Sequence, residues 1–253
     1  MIRHAPAPLP ARPFPTQPAG FGGCFPAARS NSSSGCRELN DAVADLSLRY
    51  RQGAPRIYGL ATVPLAEPDA AADELNRAVR DLGFRGVKIY PSFSGLPLLA
   101  PEVRMLMEEA ARLGAVVLTD CSFLCWPGGP GAMGPANLLA DLVFSPWFRE
   151  IEGLRLIAAH LGGGLVFFRD LLAMFDPGVE RAFERVWFDL SPVFPASMIR
   201  AALAVVPPQR LLFGSDFPFT DGSPNLATIA GMDLPAHDAR AILGENALRL
   251  LGT

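Results

Sequence analysis

Six short apolar runs, RIYGLATVPL, FRGVKIYP, AVVLTDC, LRLIAAH, VWFDLS and RLLFGSD, alternate along this chain with stretches of helical period. That alternation constrains the fold more than any other feature. Strands joined through helices run parallel in βαβ units, whereas antiparallel neighbours need only a turn. The helical stretches are punctuated accordingly. RELNDAVADLSLRYRQG carries Leu39, Val43, Leu46 and Tyr50 on one side. EPDAAADELNRAVRDLG has acids early, arginine late and Gly83 where a helix ends, and Gly114 closes PEVRMLMEEAARLG in the same way. Helix-like sequence continues to about Glu152 and returns in FFRDLLAMF, PASMIRAALAVV and AHDARAILGENALRLLG. The expected architecture is α/β with about six strand–helix units, two short of a closed (β/α)8 barrel.

Residues 1–36 have a different texture, with seven prolines, a serine-rich end and no acidic residue. Proline at that density removes backbone donors and blocks helix, so this segment is expected to be irregular and outside the fold, leaving 37–253 as a single domain. Half of the 253 residues are hydrophobic, enough for a sizeable core. A net charge of −3 offers no basic surface for nucleic acid and no polybasic membrane patch. No apolar run approaches the roughly 20 residues that span a bilayer. Cys24, Cys36, Cys121 and Cys125 do not make a disulfide scaffold in a chain of this length, and the expected location is the cytoplasm.

Function in parallel α/β folds collects where the strands end. Those positions hold Lys88, Tyr90, Asp120, His160, Asp189 and Asp216. Period-two alternation sends Val87 and Ile89 toward the surrounding helices, and Lys88 and Tyr90 toward the interior. Ionisable groups aimed into an apolar enclosure cost several kcal/mol unless they are paired or bound to metal. A structural network among them is the plain alternative to a functional site, and their convergence on one rim favours the site. Lys88 is the chain's only lysine among 22 basic residues. In RLIAAHLGGG the three glycines Gly162–Gly164 allow the backbone to turn sharply behind His160.

Taken together, GVKIYP, HLGGG, FDLS, GSDFP and ILGENALRLLG, in that order and spacing, resemble the amidohydrolase-related family, in the branch of aminocarboxymuconate-semialdehyde decarboxylase. The likeness runs from about Arg37 to Leu251. It implies a metal-dependent enzyme on a (β/α)8 TIM-barrel-like fold, acting on a small-molecule substrate. The reaction implied is hydrolysis of an amide or lactone-like bond, with decarboxylation of an unsaturated or aromatic acid as the alternative. The family pattern maps its last-strand aspartate onto Asp216 and a catalytic histidine onto His160, whose ring titrates in a useful range. Where the family has another histidine this chain has Asp120, also a competent ligand for a divalent ion, with Zn2+ expected first and Mn2+ second. The implied metal set is Asp216, Asp120 and His160. Lys88 and Tyr90 would receive the substrate, and Asp189 would orient a neighbouring group.

The family's first-strand H-x-H is absent. His4 is a candidate remnant, but its partner position is Pro6. Three readings follow: 1–36 is a start foreign to the domain, with an intact enzyme behind it; the site is a reduced one built on Asp120, His160 and Asp216, with help from His4 or Cys121; or the chain is a non-catalytic member kept for binding or for pairing with a full-length homologue. A homo-oligomer is the other partner expectation. Cys121 and Cys125 are otherwise expected to be reduced thiols. Lys88 has a structural reading, tying strand ends together, and a carbamylated metal-bridging one. His237 is assigned no chemistry. The stretch Phe123–Pro146, with Trp126 and Met133, falls where a substrate lid would lie.

Overall fold

The computed structural model describes residues 32–50, 57–90, 94, 96–121, 135–192, 194–218 and 220–252. His4, Cys24, Cys125, Trp126 and Met133 lie outside them, as does most of the expected lid. Each of the six strand-like runs supplies one strand: β1 (Leu60–Ala61), β2 (Gly86–Ile89), β3 (Val116–Thr119), β4 (Leu156–Ala158), β5 (Val186–Asp189) and β6 (Leu211–Leu212). All neighbours are parallel, and the sheet order is β1-β2-β3-β4-β5-β6. An order that never reverses is an arc of a barrel; a doubly wound sheet would show a switch point. Strands β1 and β6 are the two edges of this arc.

Helices occupy the connections. They are α1 (Ser33–Arg49), α2 (Pro68–Arg80), α3 (Pro101–Arg112), α4 (Pro135–Phe144), α5 (Pro146–Glu150), α6 (Arg169–Phe175), α7 (Gly178–Phe183), α8 (Ala196–Leu203), α9 (Ser223–Ala230), α10 (Ala236–Arg240) and α11 (Asn246–Leu251). Gly83 and Gly114 stand at φ 72° and 64° just past α2 and α3, a left-handed conformation that glycine adopts without the Cβ penalty. Helices α7 and α9 were not foreseen. A π-helical segment, Ala241–Glu245, joins α10 to α11. No helix among the described residues is long and apolar enough to cross a membrane.

Two corrections concern α1. It begins at Ser33, inside the segment set apart as irregular, because Ser32 caps it through its hydroxyl, which accepts from Gly35 N at 3.2 Å. Gly35 and Cys36 are buried, so the fold reaches back at least to the cap, ahead of Arg37. The side that α1 buries also differs from its Leu39–Tyr50 side. Leu39, Leu46 and Tyr50 are exposed, Val43 is half-buried against the core, and the buried stripe is Cys36, Asn40 and Ala44. The reason is Asn40. Its Nδ2 donates to Thr62 O at 2.9 Å and to Glu74 Oε1 at 2.7 Å, and its Oδ1 accepts from Thr62 N at 2.9 Å. These bonds anchor α1 to the end of β1 and to α2, and they outweigh the apolar pattern. Asn40→Ala strands Thr62 N–H and a Glu74 oxygen in a buried place, and is expected to lower stability by about 2–3 kcal/mol in urea unfolding.

Alternation along the strands divides the core. Val87, Ile89, Val117, Leu156, Phe188 and Leu211 pack outward with the helices. A smaller concave-side cluster contains Val116, Ile157, Leu212 and Leu250, packed with Leu60, Leu118 and Trp187. Gly86 belongs to this concave side because a Cβ there would collide with the Val116 carbonyl and side chain. Helix α11 therefore fills the lower part of the arc. Arg155, just before β4, fastens it by donating to Leu250 O at 2.6 Å and to Gly114 O. With that end plugged by apolar side chains, the carboxyl ends of the strands are left as the polar rim.

Candidate active site

Register places the rim residues. Lys88, Leu118, Ile157 and Trp187 are aligned across β2 to β5 on the concave side. Two residues further along β2, β3 and β5 come Tyr90, Asp120 and Asp189. Strand β4 ends at Ala158, and the chain then enters a left-handed turn. His160 has φ 58° and ψ 47°, Leu161 φ 54° and Gly162 φ 66°, with Gly163 and Gly164 also at positive φ. For His160 and Leu161 this region is strained by their Cβ atoms, so other bonds must hold it. Asp189 supplies them. Its Oδ1 accepts from His160 N at 2.9 Å, from Ser191 N at 3.0 Å and from Ser191 Oγ at 2.7 Å. Glycine at 162 is also needed for space, since a Cβ would stand 3.0 Å from the Phe188 ring.

Asp189 thus grips the main chain of His160, while the ring is held by others. His160 Nδ1 lies 2.9 Å from Ser191 O and 3.1 Å from Ser191 Oγ. The Ser191 hydroxyl spends its proton on Asp189 and the Ser191 carbonyl can only accept, so Nδ1 is the donor to both. On the other side Nε2 faces Asp120 Oδ1 at 3.4 Å, with the two side chains only 12% and 10% exposed. A ring whose nitrogens both face acceptors is an imidazolium. Burial works against that charge, but the Asp120 hydrogen bond, the Asp189 charge and the Ser191 carbonyl outweigh it and push the pKa up to about 9. The group's folded pKa is raised, so its stabilisation is full below about 6.5 and is lost as pH rises through about 9, on the order of 3 kcal/mol.

Lys88 completes the rim. Its Nζ stands 4.6 Å from the centre of the Tyr90 ring, a cation–π geometry. Burial disfavours the ammonium, yet Tyr90, Asp120 and Asp216 hold its pKa above the ordinary value. Asp216 follows β6 at φ 59°. Burial raises its pKa, and the attraction of His160 and Lys88 opposes that rise. The structure therefore brings Lys88, Tyr90, Asp120, His160, Asp189 and Asp216 to one rim. Cys121 is buried, its Sγ–H donates to Thr119 O at 3.4 Å, and burial pushes its thiol well above the usual range, so it offers no thiolate. His237 sits 3.1 Å from Asp238 with its side chain 71% exposed, apart from the rim.

Sequence reasoning missed Ser191 and Asn225. Ser191 lies two residues past Asp189 on the same strand exit, and period two could have flagged it. Asn225, fully buried on α9, donates to Leu190 O at 2.5 Å and Gly214 O at 2.7 Å, so it ties the exits of β5 and β6 together. Its only sequence signal is a lone amide in an apolar helix.

The metal expected on Asp216, Asp120 and His160 would need three donors grouped at one point of the rim. Among the described residues no three His, Cys, Asp or Glu side chains are grouped so as to hold a metal ion. The donor set of the described residues does not fit a three-ligand centre.

Comparison with known proteins accords with this architecture. The family described as Amidohydrolase matches residues 10–253. The chain belongs to the amidohydrolase family. Among curated relatives of this chain, 2-amino-3-carboxymuconate-6-semialdehyde decarboxylase of Dictyostelium discoideum is 25% identical over 85% of the chain and 65% of its own length. Gamma-resorcylate decarboxylase of Rhodococcus jostii is 30% identical over 63% of the chain and 52% of its own length. The chain thus spans about half to two thirds of these relatives. A dihydroxybenzoic acid decarboxylase from Polaromonas sp. JS666, solved with bound manganese and the inhibitor 2-nitroresorcinol, shares the fold at a TM-score of 0.73 and 20% identity, over 88% of this chain and 76% of its own. The relatives named here are decarboxylases, and none of them is named as an amide or lactone hydrolase.

Proposed function

We propose that the chain is a decarboxylase of an aromatic or unsaturated acid. The observation that carries this reading is a buried imidazolium, His160, on the same rim as the ammonium of Lys88. The relatives support it, since those named are decarboxylases. The ammonium, backed by the Tyr90 ring, binds the substrate carboxylate, and the concave apolar side chains exclude water from the ring beside it. His160 delivers the Nε2 proton to the carbon bearing the carboxylate, forming a C–H bond. The C–C bond to the carboxylate then breaks, CO2 leaves, and its electron pair restores the conjugated system. Asp120 orients the ring and steadies its charge before transfer, and Asp189 and Ser191 keep Nε2 aimed at the rim. Asp216 adds a negative charge to the rim, which the His160 and Lys88 cations attract. A divalent metal, if bound, would supply Lewis-acid polarisation of the substrate beside these groups, and the choice of zinc has no three-ligand site among the described residues to favour it.

The test is turnover of gamma-resorcylate by the purified chain, followed by its ultraviolet absorbance and by released CO2. Loss of the acid with formation of resorcinol is expected. Turnover of amide or lactone substrates with the aromatic acid untouched would overturn the reading in favour of a hydrolase. Activity appearing only on mixing with a full-length homologue would favour a partner subunit.

A further inference from the structure

Leu39, Val43, Leu46 and Tyr50 recur along α1 at intervals of four, three and four residues, the spacing of a seam between two helices. The fold leaves that seam open. Leu39, Leu46 and Tyr50 are 45%, 44% and 47% exposed, and only Val43 packs against the core. We propose that this stripe is the interface of a homodimer, in which α1 of one chain lies antiparallel on α1 of a second copy.

Position and charge name the occupant. Helix α1 lies beside β1, an edge of the sheet, and Asn40 fastens it there through Thr62. Its buried side (Cys36, Asn40 and Ala44) is about a quarter turn round the helix from the stripe, so a second body can approach from beside the arc. Arg37 and Asp41 are turned to α2, where they meet Glu74 at 3.6 Å and Arg77 at 2.7 Å. Helical spacing puts Glu38, Asp45 and Arg49 on the other flank of the stripe, exposed and in no ion pair among the described residues. The acids lie toward the amino end and the arginine at the carboxyl end. Two parallel copies would set like charges side by side. Two antiparallel copies related by a two-fold axis match Leu39 with Tyr50 of the partner subunit and Val43 with Leu46 of the partner subunit. They also bring Arg49 within a turn of the partner subunit's Glu38, twice by symmetry. The two Asp45 carboxylates meet near the axis and oppose the pairing. A helix of 17 residues is about 25 Å long and 10 Å wide, roughly 250 Å² against the roughly 800 Å² per partner of a standard interface. The dimer should therefore be reversible, with a dissociation constant in the micromolar range.

The inference goes beyond the decarboxylase reading, and its test reads mass alone, so either can fail without the other. Sedimentation of the full chain between about 1 and 100 μM should show a concentration-dependent monomer–dimer equilibrium. Leu46→Asp, at an exposed position, should weaken it at least about tenfold and leave Tm unchanged. Arg49→Glu should weaken it similarly, and adding Glu38→Arg to that variant should restore it. Asp45→Asn, which removes the repulsion at the axis, should tighten it. The charge-swapped pair keeps the test decisive, because loss of fold in a single variant would not be repaired by it. A monomer across the whole range overturns the proposal and leaves the stripe to a different protein or to residues 1–31 of the chain itself. A dimer indifferent to Leu46→Asp and Arg49→Glu overturns it as well, and would direct attention to the exposed Met174 and Phe175 of α6.

Discussion

His160→Gln is expected to lower kcat/KM toward an aromatic acid by about three orders of magnitude, near the middle of what a positioned proton donor contributes. Glutamine can still donate toward Asp120 but has no proton to transfer to carbon. The wild-type pH profile should carry the same signature. Activity needs the imidazolium, so kcat/KM should hold through neutrality and fall as pH passes about 9, where His160 loses its proton. Asp120→Asn removes the leading favourable interaction of that imidazolium, and the alkaline limb should move down toward neutral pH. A profile unchanged by Asp120→Asn would remove Asp120 from any role in setting the acid, whatever the effect of the histidine substitution.

The largest expected loss of stability is at Asp189. One of its oxygens receives three hydrogen bonds, and two of the donors are main-chain N–H groups at the exits of β4 and β5. Asp189→Ala leaves all three donors without that acceptor and releases the only side-chain bond described to the His160 N–H, in a turn where His160 and Leu161 stand at positive φ. Buried donors left unmet cost about 1–3 kcal/mol each, so a total of about 3–5 kcal/mol is expected, or a fall in Tm of roughly 10 °C. Ser191→Ala removes a single hydroxyl from the same cluster and should cost only about 1 kcal/mol. Near-equal losses for the two variants in thermal unfolding would show that the turn is held by its glycines and packing, with Asp189 incidental. If Asp189→Ala folds, its His160 should also titrate below about 9, since the Asp189 charge is among the causes of that value.

The connection between these sites is the arc itself. Asp189 belongs to β5 and His160 leaves β4, so bonds between them weld two strand exits. Asn225 welds the next pair, β5 to β6. The rim is thus rigid on the side of His160, and the proton donor is aimed by strands instead of by a loose loop. Lys88 sits on β2 and Asp120 directly follows β3, and the two strands are paired through four residue partners, so the lysine and the histidine are set on one continuous framework.

How much of this was legible in the sequence follows from the range of each interaction. All six strand-like runs became strands, and the helix ends at Gly83 and Gly114 fell where glycine predicted them, because periodicity and caps are local properties. The rim residues were legible too, since alternation along a strand fixes which side a residue takes once its end is known. The buried side of α1 was not legible: Asn40 reaches Thr62, 22 residues on, and Glu74, 34 residues on, and the apolar pattern of the helix carries no trace of either. The left-handed turn was half legible, as glycines at 162–164 announced a turn, but the strain at His160 and Leu161 is held by a carboxylate from the next strand. The charge state of His160 and the pairing of Lys88 with Tyr90 belong to the tertiary structure alone. A titratable side chain takes its proton affinity from whatever lies within a few ångströms in space, and only the curvature of the sheet decides which side chains those are.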